Sequence, residues 1–91
     1  MTPTPNGFRT AQVSVGTTAT LLCAARADRR AVTIEDLGST DVYIGDANVT
    51  TGNGILLPGG AGSSITIPTT AAIYGIVGTG TQTVGVAETY S

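Results

Sequence analysis

Apolar residues recur along this chain at every second position, in short runs broken by Gly, Pro, Asn, Asp, Ser and Thr. That period belongs to half-buried strands rather than to helices. The pattern starts at Gln12-Val13-Ser14-Val15 and resumes over Thr18 to Ala24. It then gives Ala31-Val32-Thr33-Ile34, with Val32 and Ile34 on one face, and Val42-Tyr43-Ile44. Between these two runs lies Asp36-Leu37-Gly38-Ser39-Thr40-Asp41, a stretch of turn-forming residues, so residues 30–45 are expected to form a hairpin. Gly38 and Gly45 stand where the chain turns or leaves a strand, and at least one of them is expected at positive φ. Further on, Ile55-Leu56-Leu57 reads as a short buried strand and Ser64 to Ile67 as an alternating one ended by Pro68. Residues 72–77 are apolar on both faces, and Thr81 to Tyr90 puts Val84, Val86 and Glu88 on one face. About eight short strands result, an all-β chain with the spacing of a small antiparallel β-sandwich or jelly roll.

Residues 1–10, with Pro3, Pro5, Asn6 and Gly7, show no apolar period and are expected to form an extended arm ahead of a single β domain over 11–91. Phe8 is the one large apolar side chain of that arm, a candidate anchor on a neighbouring surface. In strand 72–77, Ile73 and Val77 share one face while Tyr74 and Ile76 share the other. A two-layer sandwich covers only one face of each strand. Tyr74 and Ile76 are therefore candidates for an interface with another subunit.

Composition narrows the chemistry. Ninety-one residues suffice for one domain with a thin core. Only 11% are charged, against roughly 25% in a typical soluble domain. A net charge of −2 gives no long-range attraction to nucleic acid. Arg26, Arg29 and Arg30, with Asp28 among them, read as a solvated turn with local ion pairs. There is no His and no Lys, which removes the commonest general base and metal ligand. Glu35 and Asp36 are adjacent and point to opposite faces of a strand, and no Ser or Thr has a base beside it, so no catalytic residue is assigned. Cys23 is alone and reads as a small core residue. Asp46 to Gly52 looks like the start of a calcium loop, but Thr51 and Leu57 occupy the positions that need Gly and an acidic ligand, so a plain turn is expected and no metal or cofactor is assigned. Met1 is followed by Thr-Pro-Thr-Pro rather than by a signal-peptide pattern, and no apolar run is long enough for a membrane helix.

From Arg30 onward the chain resembles a recurrent module of tailed-bacteriophage virion proteins. The resemblance lies in Val32-Thr33-Ile34-Glu35-Asp36-Leu37-Gly38-Ser39, Asp41-Val42-Tyr43-Ile44-Gly45, Val49-Thr50, Asn53-Gly54 and Leu57. It continues through the Gly-rich turn at 59–62, Thr70-Ala71-Ala72-Ile73-Tyr74-Gly75-Ile76 and a closing Val-x-Val strand. Proteins it is similar to are small β-sandwich or jelly-roll parts of capsids, including decoration proteins and head-fibre pieces. The resemblance implies a non-enzymatic structural protein, made in the host cytoplasm and carried on the capsid surface. The partners implied are the major capsid protein and copies of itself, most often as a homotrimer. A tail or fibre domain that binds a host-surface glycan is the alternative.

Overall fold

Eight strands account for the regular structure of the computed structural model, which describes residues 7–91. They are β1 (Gly7–Val15), β2 (Thr20–Cys23), β3 (Arg29–Asp36), β4 (Val42–Gly45), β5 (Ile55–Leu57), β6 (Ser64–Ile67), β7 (Ile73–Ile76) and β8 (Gln82–Tyr90). They form two four-stranded antiparallel sheets with the orders β1-β8-β3-β6 (sheet A) and β2-β7-β4-β5 (sheet B). Strand β1 pairs with β8, β2 with β7, β3 with β6 and β4 with β5. The first half of the chain is thus laid against the second half about the β4–β5 loop and then wound into two layers. This is the strand order of a jelly roll. Only the β4–β5 connection stays within one sheet; every other connection crosses between the two.

The expected hairpin over residues 30–45 is therefore not one. Strand β3 lies in sheet A between β8 and β6, and β4 lies in sheet B between β7 and β5. The turn residues between them build an arch from one layer to the other. Asp36 closes it: its Oδ1 accepts a hydrogen bond from Gly38 N at 3.0 Å. Leu37 N donates to Thr83 O, Gly60 N to Gly38 O and Gly62 N to Asp36 O, so the arch is tied to β8 and to the β5–β6 loop.

The expected arm is also revised. Residues 7–10 are part of β1, with Phe8 opposite Thr89 and Arg9 opposite Glu88. Their backbone is held by β8, so they need no apolar period of their own. Residues 1–6 of the expected arm lie outside the described residues. Positive φ occurs at Gly60, Gly62 and Gly80, not at Gly38 or Gly45. Gly45 is required for room instead, because a Cβ there would stand 2.8 Å from the Val49 side chain, which the β4–β5 loop folds inward.

Between the sheets lies a dry layer of Val15, Leu22, Cys23, Val32, Ile34, Val42, Ile44, Leu57, Ile73, Val77, Val84 and Val86. Cys23 is buried there, as its neighbours in sequence suggest, and burial, the largest influence, pushes its thiol pKa up. Strand β5 departs from the expected pattern: Leu57 is buried, but Ile55 and Leu56 are exposed, because β5 is an edge strand.

Candidate functional site: the uncharged outer face of sheet B

The strands of sheet A carry Arg9, Arg29, Arg30, Glu35, Asp36 and Glu88, whereas those of sheet B carry no Asp, Glu, Lys or Arg at all. Residues 47–87, which include β5, β6 and β7, are likewise free of these four types. The two layers therefore differ in what they can hold together and in what they present to a partner.

At one end of sheet A the charges turn inward. Glu88 follows Val84 and Val86 on the core face of β8, and Arg29 reaches it from β3. Arg29 Nε donates to Glu88 Oε1 at 2.8 Å, and both side chains are almost fully buried. Arg29 Nη1 also donates to the carbonyls of Thr69 at 3.1 Å and Ala71 at 2.7 Å, and Nη2 donates to that of Ala24. Arg9 Nη1 pairs with the second carboxylate oxygen, Oε2. Burial by itself raises the Glu88 pKa, but hydrogen bonds and charge from Arg29 and Arg9 outweigh it and leave the carboxyl below its ordinary value. The cluster ties the β2–β3 and β6–β7 connections to sheet A. Each carboxylate oxygen faces a guanidinium.

Sequence reasoning placed Arg29 in a solvated turn. That description fits its neighbour Arg26, which donates to Asp28 Oδ1 at 2.7 Å on the surface and stacks on the Tyr90 ring at 3.4 Å. The available signal for the buried pair was the position of Glu88, an acidic residue on the apolar face of an alternating strand.

The outer faces differ as much as the interiors. That of sheet A shows Thr10, Gln12, Ser14, Thr33, Glu35, Ser64 and Thr66, and Thr33 and Thr66 are joined hydroxyl to hydroxyl at 2.8 Å. That of sheet B is apolar. Leu21, 46% exposed, lies directly across from Tyr74, and Tyr43 lies between Ile76 and Leu56, which is 48% exposed. Tyr43 and Tyr74 are half-buried. Ile76 retains 9% of its surface, so it supports the patch more than it presents it.

Of the three side chains singled out from sequence, Tyr74 and Ile76 share this outer face. Phe8 does not join them: it is 69% exposed on the outer face of sheet A. Leu21, Tyr43 and Leu56 belong to the patch but were missed. Leu21 and Leu56 stand in short apolar runs where alternation alone does not say which face is covered.

A second feature lies at the arch end of the molecule. Asp41, Tyr43, Thr51 and Thr79 line an open hollow there, and Asp41 Oδ1 accepts from Gly59 N at 2.6 Å. Among the described residues no three His, Cys, Asp or Glu side chains converge in a way that would hold a metal ion. No family model, curated protein or solved structure matches this chain.

Proposed function

We propose that this protein is a non-enzymatic structural component of a tailed-phage virion, a decoration protein that sits on the outer head shell as a symmetric oligomer. The observation that carries the reading is the charge-free sheet B, whose outer face leaves Leu21 and Leu56 in water beside Tyr43 and Tyr74. Apolar surface held on a rigid sheet and free of charge suits contact with another protein. The strands of sheet B carry no Asp, Glu, His or Lys. The virion setting rests on the motif resemblance of residues 30–86, and the jelly roll is an architecture that viral capsid proteins share with lectins and cupins. In this role the Arg29–Glu88 cluster keeps the layers together while the outer face of sheet B meets the shell.

Three-dimensional reconstruction of the tailed-phage particle that encodes this chain tests the proposal. Density for a domain of this size at regular positions on the head, with sheet B turned toward the shell or a neighbouring copy, is expected. Particles that lack the protein would overturn it. The hollow at Asp41 and Tyr43 favours the second reading, a tail or fibre domain, because it pairs a carboxylate with an aromatic ring as sugar recognition requires. Density on the tail together with binding on a glycan array would select that reading.

A further inference from the structure

A sheet edge left open is a template for another strand, and proteins normally guard it with charge, proline, a bulge or a covering loop. Three of the four edges here are guarded in such ways. Strand β1 carries Arg9 and a row of polar side chains. Strand β2 is bulged between Leu21 and Cys23. Strand β6 shows Ser64 and Thr66 outward and stops at Pro68. Strand β5 likewise stops at a proline, Pro58, but Ile55-Leu56-Leu57 itself carries no charge, no polar side chain and no bulge. It is flat in register against β4 and pairs with nothing on its other side among the described residues. Ile55 is 59% exposed although alternation places it on the same face as buried Leu57.

We infer that β5 is a self-association edge, which pairs antiparallel with β5 of a second copy across a two-fold axis at Leu56. The register is what selects a second copy as the occupant. Antiparallel pairing centred on Leu56 sets Ile55 of one copy opposite Leu57 of the other, on the inner face, and so covers the exposed isoleucine. It also sets Leu56 against Leu56 on the outer face. The two B sheets become one eight-stranded sheet, and the apolar row from Leu21 to Leu56 runs on into its symmetry mate. No Asp, Glu, Lys or Arg between residues 47 and 87 opposes the approach of like chains.

Size decides how strong this contact is. The outer face of sheet B spans only about 250 Å2, taking four strands ~4.8 Å apart and ~3.3 Å per residue. Stable complexes bury about 800 Å2 per partner. Joining two copies doubles the patch offered to a larger surface, while three-residue strands alone give a dimer that dissociates on dilution. Such a contact is isologous, unlike the heterologous contact a three-fold ring requires. The inference does not depend on a virion role.

Sedimentation of the purified chain over a wide concentration range tests the pairing. A monomer–dimer equilibrium is expected, abolished by Leu56→Lys with no change in the melting temperature. Cysteine cross-linking tests the register. Under mild oxidation Leu56→Cys should form a disulfide-linked dimer quickly. Ile55→Cys should not, because its symmetry mate lies ~8 Å away, beyond disulfide reach. A chain that stays monomeric at the highest soluble concentration overturns the inference. So does an oligomer of any size indifferent to Leu56→Lys, or cross-linking that is equal at 55 and 56. Loss of head attachment with a normal β5 dimer would count against the proposed function and leave this pairing standing.

Discussion

Sheet A and sheet B have equal numbers of strands and share one core, yet they divide the labour of the molecule. Sheet A holds the ionic cluster that fastens the loops at one end, and its outer face is hydroxyl-rich apart from Phe8. Sheet B holds no charge in its strands and shows leucine and tyrosine to the outside. In sheet A the buried Arg29–Glu88 pair fastens the adjoining loops, so that end of the fold depends on charge. A sheet that has none is free to be covered. Stability and attachment should consequently respond to different substitutions.

The largest effect on stability belongs to Arg29. Its replacement by Met leaves Glu88 buried with only the half-exposed Arg9 as partner and strips three carbonyls of their donor. A loss of about 3–5 kcal/mol is expected in denaturant unfolding. Arg26→Met, in the neighbouring surface turn, should cost far less, because its pair with Asp28 is screened by solvent. If the two variants unfold alike, the buried cluster is not what fastens sheet A.

Gly59→Ala should come next. A Cβ at Gly59 would run into the Ser39 backbone carbonyl, where the β5–β6 loop crosses the arch. About 1–3 kcal/mol is expected from such overpacking, read as a lower unfolding midpoint. An unchanged midpoint would mean that the arch and the loop separate easily.

The acid limb of stability follows from Glu88. Its folded pKa lies below its ordinary value of 4.5, so the unfolded chain binds the proton more readily than the folded one. The stabilisation is complete above about the ordinary carboxyl range and is lost as pH falls through the lowered folded value. Melting temperature recorded from neutral pH downward should fall in that window. Glu88→Gln should start lower at neutral pH and show a flatter acid limb. A parallel limb in the variant would assign the proton uptake to other carboxylates.

The smallest effect on stability, and the largest on attachment, should come from sheet B. Leu21 is half in water, so Leu21→Asp is expected to change stability by no more than about 0.5 kcal/mol. Ile76 is a poorer probe, since a carboxylate at a position so nearly covered would disturb folding as well as contact.

Much of this division was legible in the sequence, and the parts that were not share a cause. Strands β4, β6 and β8 follow from local alternation, because each side chain's environment repeats every second residue. Which strand pairs with which is a long-range matter: the same Gly-Ser-Thr-Asp chemistry that closes a hairpin also closes an arch, so Asp36 to Asp41 did not reveal that β3 and β4 part company. Residues 7–10 became strand through β8, some eighty residues away, and carry no local trace of it. For the patch, Tyr74 and Ile76 were identifiable because strand 72–77 is apolar on both faces. Leu21 and Leu56 needed the sheet order, which sets them beside Tyr74 and Tyr43.

The central claim is that the outer face of sheet B is the contact surface. Co-sedimentation of purified protein with phage heads prepared without it measures this directly, with wild type compared against Leu21→Asp of matched melting temperature. The account predicts that wild type pellets with the heads and that Leu21→Asp remains in the supernatant. Equal pelleting of the two would contradict it.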